Sequence, residues 1–400
     1  MMELSLLSNA QNVEAARDPG SWQNLSPLQR LFFQGIALLL PFVAAISWVG
    51  ESHSNIYAVS EFFVTYQHGF ARRGLVGEIL RHVGFLSLRK IGLIEVVIVL
   101  IALLLSYVVF WRMLTSTADH AMVAILFLCS PMCLSHLSYC AAQPDILLYA
   151  CLILGYACLV GLPTTWGPVV AALPCAFALF LHESFPLLLY VSILAMLWDG
   201  YRNRRFAFSA VAGHLLIFGV TFGWIMLHSK THVDPNVLYR EAQARTDMTL
   251  HPGVFQVIGR SVTGGWSELH LFYQPKFLVG VGLSLLMMTP YFVGVSMVLA
   301  RVNRQRERPF PGIGLLAIIA GPLMLCFLGG DVFRWFAGST IGILLFVVYL
   351  TETMPKDAAR KLYLARDPVL ALTIVYGFAM SPVGAASIHM LARIGSILGA

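Results

Sequence analysis

Charged residues are scarce in this chain of 400 residues. Lysine, arginine, aspartate and glutamate make up 12% of it, against a hydrophobic share of 58%. Soluble globular domains carry about 25% charged residues, so the composition excludes a soluble domain of this length. The apolar residues form continuous runs near the length that a lipid bilayer requires. We therefore predict an all-α polytopic membrane protein.

Familiar catalytic and metal-binding patterns are also missing. The chain has no Walker, dinucleotide-binding, zinc-protease or nucleophile-elbow motif, so ATP-driven transport, Rossmann cofactors and the commoner hydrolase sites lack support. No Cys-x-x-Cys pattern or pair of loop cysteines predicts a metal site or a disulfide. We expect no cofactor. A divalent metal would suit the chemistry considered below, but no residue pattern supports one.

About eleven transmembrane helices are predicted. They start near Leu31, Ile91, His120, Asp145, Pro168, Phe185, Phe206, Phe277, Pro311, Phe336 and Pro368. Residues 1–30 form a predicted cytoplasmic N-terminal segment, and residues 31–400 form one multi-span membrane domain. The first span, from about Leu31 to Val49, is expected to serve as both targeting signal and anchor.

Short basic loops predict the orientation of these spans. Three clusters lie two spans apart: Arg202, Arg204 and Arg205; Arg301, Arg304, Arg306 and Arg308; and Lys356, Arg360, Lys361 and Arg366. The positive-inside rule places all three in the cytoplasm of a bacterial inner membrane, with the N-terminus inside and the C-terminus in the periplasm. Residues 51–90 and 228–276 then become outer-face loops. The net charge of +6 reflects orientation and contact with membrane lipids, and no nucleic-acid partner is expected.

The first outer loop carries the densest mixture of polar and aromatic residues, from Glu61 to Glu78. Its aromatic residues recur with helix-like spacing at Phe62, Phe63, Tyr66 and Phe70, which predicts an interfacial helix, broken near Gly69. Arg72 and Arg73 stand beside Gly74, and guanidinium groups bind phosphate bidentately. An amphipathic anchor whose arginines touch lipid phosphates is the alternative. A span count that is off by one would instead place this basic loop inside.

Other charged residues lie at the predicted outer ends of spans. Asp145 follows Pro144, and N-capping of the next helix is the alternative to a functional role. His182 and Glu183 adjoin between two proline-bearing apolar stretches, which suits a proton relay, a metal-ligand pair, an acceptor-binding pair or a polar hinge.

A late pair of charges, Asp331 and Arg334, is spaced for a local ion pair. In a functional interpretation, Arg334 presents its charge to a phosphate or glycan and Asp331 orients it. The long loop 228–276 mixes aromatic and hydrogen-bonding side chains, a composition that suits sugar recognition or an ordinary solvated loop.

These motifs together resemble the uncharacterised bacterial polytopic proteins related to GT-C-type glycosyltransferases and O-antigen polymerases. The resemblance rests on the acidic-aromatic segment and Arg-Arg-Gly-Leu-x-Gly after the first span, Pro-Asp near the fourth, the central His-Glu and the late Asp-x-x-Arg-Trp. It implies a polyprenyl-phosphate-linked sugar donor and a catalytic carboxylate in the first outer loop. Glu61 matches that location, with Glu51 second and Asp145 and Glu183 as further candidates. No Asp-x-Asp stands in this loop, a departure from the family pattern.

The implied function is a membrane glycosyltransferase acting on the periplasmic face in cell-surface polysaccharide assembly. Its partners would be a polyprenyl-linked sugar, a glycan or lipid acceptor, and membrane lipids. The implied substrate-binding and phosphate-binding residues are Arg72, Arg73, Tyr66, His182, Asp331 and Arg334. The alternatives are an O-antigen or exopolysaccharide polymerase, a transporter or flippase for a lipid-linked glycan, and an assembly protein without chemistry.

Overall fold

The structure analysed is a computed structural model, and every regular element in its described part is a helix. It describes residues 56–133 without Gly69 and Arg72, and residues 136–137, 145–228, 233–259, 275–325, 332–355 and 367–379, with a few isolated positions elsewhere. The all-α prediction is therefore confirmed.

The described residues form fourteen α-helices, numbered in chain order. The helices are α1 Ile56–Ser60, α2 Gly74–Arg81, α3 Leu88–Ser116, α4 Ala118–Leu128, α5 Asp145–Gly161, α6 Gly167–Leu181, α7 Val191–Arg202, α8 Phe208–His228, α9 Pro235–Gln243, α10 Pro252–Gly259, α11 Pro275–Arg304, α12 Gly312–Met324, α13 Val332–Glu352 and α14 Pro368–Ala379. A 3-10 turn, Glu61–Phe63, follows α1, and a π-helical turn, Pro186–Tyr190, precedes α7.

Three helices in the described part are long and apolar enough to cross a membrane: Leu88–Ser116, Phe208–His228 and Arg334–Glu352. Shorter apolar helices, among them α5, α6 and α12, accompany them. Helices begin close to all the predicted span starts except the first, because the span from Leu31 lies largely outside the described residues. Apolar side chains from these helices form the main core of the bundle.

One end of the bundle gathers two of the predicted cytoplasmic basic clusters. Arg306 Nη2 lies 2.7 Å from Asp199 Oδ2, and Arg308 Nη1 donates to the carbonyl oxygen of Arg202 at 2.9 Å. Arg301 forms an ion pair with Asp367 at the start of α14. The loops that follow α7 and α11 therefore meet at a single end, which we call the basic end.

The two predicted outer loops pack against each other through a second, separate apolar core. Phe63 and Phe255 are buried in it. The N–H of Leu86 donates to the carbonyl oxygen of Arg245 at 2.9 Å, and the N–H of His251 donates to Ser60 Oγ at 2.8 Å. The described part of the second loop, residues 233–259, is thus a lid of two short helices, α9 and α10, docked on the first loop.

The predicted interfacial helix is wrong in its extent. The helical path stops at Phe63 and resumes only at Gly74, so Tyr66 and Phe70 lie outside any helix. Arg73 adopts a left-handed backbone with φ of 63°, which ends a right-handed helical path. A Cβ at Gly77 would lie 1.9 Å from the carbonyl oxygen of Val64, so this close approach of two backbones requires glycine.

Candidate functional site

A buried ionic cluster lies at the opposite end from the basic loops, and Arg73 is its centre. The guanidinium donates from Nε and Nη2 to the carboxylate of Glu183, with Nη2 2.7 Å from Oε1. It also donates from Nη1 to Glu61 Oε1 at 2.8 Å. Glu61 lies directly after α1, Arg73 directly before α2, and Glu183 just beyond the end of α6. One arginine therefore joins two carboxylates from separate parts of the chain.

Two glycines set the position of Arg73. Gly74 lies under the ring of Tyr66, where a Cβ would come within 2.5 Å of the ring, and Gly77 lies against Val64. The N–H of Tyr66 also donates to Glu78 on α2 at 2.9 Å. These contacts hold helix α2 close to residues 64–66. Arg73, which directly precedes α2, thereby reaches Glu61.

A second ion pair joins Asp145 to Arg334. Asp145 is the first residue of α5, and Arg334 lies in the first turn of α13. Arg334 Nη2 donates to Asp145 Oδ1 at 2.6 Å, while its Nε donates to Oδ2. The pair is bidentate and buried, with Asp145 4% and Arg334 9% exposed. Arg334 thus pairs across the fold, and the expected local partner, Asp331, lies outside the described residues.

His182 joins the cluster as a neutral imidazole. Its Nδ1 accepts the N–H of Ser184 at 3.0 Å, so that nitrogen carries no proton. His182 Nδ1 and Glu183 Oε2 lie 3.6 Å apart and are therefore not a pair of opposite charges. Since His182 is only 2% exposed, it packs as a buried polar neighbour of Glu183.

Among the described residues, the cluster holds more carboxylates than guanidinium groups. Glu61, Glu183 and Asp145 face two guanidinium groups, those of Arg73 and Arg334. Burial raises the pKa of Glu61 above its ordinary value, against the opposing effect of Arg73, and the charges of Asp145 and Glu183 raise it further. Burial disfavours the charged form of Arg73, but its two carboxylate partners outweigh this and raise its pKa. Burial is thus the main cause of the raised pKa of Glu61.

Glu61 also has an open oxygen. Its Oε2 is buried and has no hydrogen-bond partner among the described residues, although the side chain is only 5% exposed. A buried polar atom of this kind is costly unless another group satisfies it. Among the carboxylate oxygens of Glu61, Oε2 is therefore the one without a hydrogen-bond donor in the described part of the chain.

One residue of this region, Tyr57, was not anticipated from the sequence. Burial raises the pKa of Tyr57, and the charges of Arg73, Glu61 and Arg334 also act on its hydroxyl group. It lies four residues before Glu61, one helical turn away, and this spacing could have identified it. Its ring also makes an edge contact with His251 of the lid, with centroids 5.3 Å apart. Tyr57 thus links the ionic cluster to the lid.

Of the predicted site residues not yet placed, Tyr66 lies in the described part of the chain. Tyr66 stacks on Phe70 at 5.3 Å, and its buried hydroxyl makes no hydrogen bond within the described part of the chain. Glu51, Arg72 and Asp331 lie outside the described residues. Each of the three guanidinium nitrogens of Arg73 donates to a carboxylate. A phosphate at Arg73, which stays a prediction, would therefore share the guanidinium with Glu61 and Glu183.

Among the described residues, no group of three or more histidine, cysteine, aspartate or glutamate side chains is arranged to hold a metal ion. The first-choice donor atoms for a cation would be the carboxylates of Glu61 and Glu183, and Arg73 already engages both of them.

Residues 33–221 match the family model described as "Uncharacterised membrane protein Rv1490". The chain is thus similar to a family of membrane proteins over a segment that contains Glu61, Arg73, Asp145 and Glu183. No curated protein matches the chain, and no solved structure matches it. The matched family and the apolar helices together identify an all-α membrane protein.

Proposed function

We propose that the chain is a glycosyltransferase of GT-C type that transfers sugar from a polyprenyl-phosphate carrier on the outer face of a bacterial inner membrane. The single observation that carries this proposal is Glu61. It is a buried carboxyl group with a raised pKa and an open oxygen, in the first outer loop. Carboxylates with a pKa displaced toward neutral pH make efficient general bases.

In the proposed reaction, Glu61 Oε2 takes the proton of an acceptor hydroxyl. The acceptor oxygen then forms its bond to the anomeric carbon of the sugar, while the bond from that carbon to the carrier phosphate breaks and the phosphate leaves with the electron pair. Arg73 acts as a positioning residue that holds Glu61 Oε1. General-base catalysis of this kind contributes about 10²–10⁴-fold.

Glu61→Gln tests this assignment. The amide keeps the oxygen that accepts from Arg73 and removes the basic oxygen, so we expect glycan formation to fall at least about a hundredfold. The Glu61→Gln variant should still bind polyprenyl phosphate. The matched control is Glu307→Gln, because Glu307 is exposed at the basic end, between Arg306 and Arg308.

Two results would change the assignment. If Glu61→Gln is fully active while Asp145→Asn or Glu183→Gln is inactive, the base is misassigned. If all three variants are active, no described carboxylate of the cluster acts as a base. An O-antigen or exopolysaccharide polymerase that relies on arginines would then replace the transferase.

The orientation is part of the same proposal. We place the basic end in the cytoplasm, because arginine-rich short loops are retained there, and the ionic cluster in the periplasm. The chain would cross the membrane many times, with its N-terminus inside. Contacts between the loops after α7 and α11 support a shared side for those two clusters.

Reporter fusions test this orientation. Fusions after Arg204 and Arg306 are expected to report cytoplasm, and a fusion at Gly253 in the lid is expected to report periplasm. Alkaline phosphatase and a fluorescent protein give opposite readouts on the two sides. A cytoplasmic signal from Gly253 would remove the outer-face site.

A flippase for a lipid-linked glycan is the second candidate, and buried polar pairs inside the bundle favour it. Ser106 Oγ lies 2.7 Å from the hydroxyl oxygen of Tyr149, and the Tyr156 hydroxyl donates to Glu352 near the basic end. Polar groups within the membrane often mark transport paths. The products separate the two functions, because a transferase releases the carrier phosphate whereas a flippase leaves the glycan attached to it.

A further inference from the structure

The seam between the first outer loop and the lid contains a small cavity away from the ionic cluster. Phe63 and Phe255 contribute apolar wall, and His68, Glu241 and Arg245 contribute polar wall. With its open mouth, the space measures about 430 Å³, but its enclosed part admits only a small group. The cavity is thus shaped for one functional group whose remainder lies outside.

Arg245 is the unusual member of this wall. Its Nη2 is buried and has no hydrogen-bond partner within the described ranges. Its guanidinium carbon lies 5.7 Å from the ring centre of Phe63, so one face of the group is covered by an aromatic ring. A buried charged donor without an acceptor is costly, and an acceptor in the cavity would remove that cost.

The neighbouring charges are already matched. Arg81 Nη2 lies 2.5 Å from Glu78 Oε1, and His68 Nε2 lies 2.7 Å from Glu241 Oε2. Burial lowers the pKa of Arg245, and the like charge of Arg81 lowers it further. The carboxylates of Glu78 and Glu241 are therefore engaged by residues other than Arg245.

We propose that this seam cavity binds one anionic group, a carboxylate or a phosphate, with Arg245 as its principal donor. The guanidinium fork matches both groups geometrically. The carboxylate of Glu241 in the same wall opposes the anion. A soluble anion and the headgroup of an anionic lipid share this chemistry. The proposal does not depend on the transferase activity, because none of its residues belongs to the ionic cluster.

Binding of inorganic phosphate to the full-length protein tests the proposal. The protein is placed in nanodiscs of zwitterionic phosphatidylcholine and titrated at constant ionic strength, with calorimetry and the thermal midpoint as readouts. We expect Arg245→Gln to weaken binding at least about tenfold, since a charge-assisted contact is lost. Arg240→Gln is the matched control, because Arg240 is exposed on α9 and its Nε donates to the carbonyl oxygen of Asn236. It should bind as wild type does.

Two further variants keep the test decisive. Glu241→Gln removes the opposing charge from the wall, and we expect it to bind phosphate severalfold more tightly. If Arg245→Gln does not fold, Arg245→Lys retains the charge without the fork and should bind with intermediate affinity. Equal phosphate binding by wild type and the folded Arg245 variant, or no tightening in Glu241→Gln, would overturn the site.

The source of the anion is decided by changing the probe. Nanodiscs that contain phosphatidylglycerol should suppress the Arg245-dependent phosphate signal if the cavity takes a lipid headgroup. Persistence of that signal, together with Arg245-dependent binding of glucuronate, identifies a soluble or glycan-borne anion. Either result supports the cavity as an anion site. Absence of binding by phosphate, glucuronate and phosphatidylglycerol would refute it.

Discussion

Arg73→Met is expected to destabilise the folded protein by about 3–5 kcal/mol, since breaking a buried ion pair strands its partners in the interior. Here two carboxylates, Glu61 and Glu183, depend on one guanidinium. Methionine keeps most of the stem volume, so the loss reports the charge rather than a cavity. The measurement is the midpoint of thermal unfolding in detergent, followed by the loss of the monodisperse chromatographic peak.

Neutralising the stranded carboxylates should reverse this loss. We expect the triple variant with Glu61→Gln and Glu183→Gln to recover most of the stability, because no uncompensated buried charge remains. Arg81→Met is the matched control. Arg81 ends the helix that Arg73 precedes, and its side chain is 37% exposed beside Glu78, so its pair is worth about 0–1 kcal/mol. Equal losses from Arg73→Met and Arg81→Met would contradict the buried network.

Recovery of stability also separates two roles of Arg73. If the triple variant is stable and produces no glycan, the cluster is needed for chemistry beyond folding. If it is stable and fully active, the cluster only holds the helices together, and the base assignment to Glu61 is wrong. The experiment therefore distinguishes a folding defect from a catalytic one.

Arg334→Met is expected to have an effect of similar size, about 3–5 kcal/mol. It leaves Asp145 charged and buried at the start of α5, with both carboxylate oxygens deprived of their donors. Asp145→Asn should cost less, because an amide oxygen still accepts from the guanidinium. A double variant with Asp145→Leu should be close to wild type or better, since apolar residues often replace buried ion pairs without loss.

A double-mutant cycle measures the coupling between these two residues. We expect a coupling energy well above that of the exposed pair between Arg301 and Asp367 at the basic end, where the Arg301 side chain is 39% exposed. Additive losses from Arg334→Met and Asp145→Leu would mean that the two side chains do not pair in the folded protein.

The membrane helices and the ends at which charges gather could be predicted from the sequence. The length of an apolar run and the cost of a charge at membrane depth are local properties, readable without any knowledge of neighbouring helices. Helices accordingly begin near the predicted starts, and Glu61, Asp145, Glu183 and Arg334 were singled out by position alone.

The pairing of those charges was decided only by the tertiary structure. Arg73 pairs with a residue 110 positions away, and Arg334 pairs with one 189 positions away. Both choices depend on which helix ends meet. The same holds for the lid, whose residues pack on the first loop instead of remaining a solvated connection. Sequence reasoning assigned Arg73 to a phosphate because an arginine beside glycines suits one. Only the fold shows that two carboxylates are packed against it, as a buried guanidinium requires opposite charges nearby to be stable.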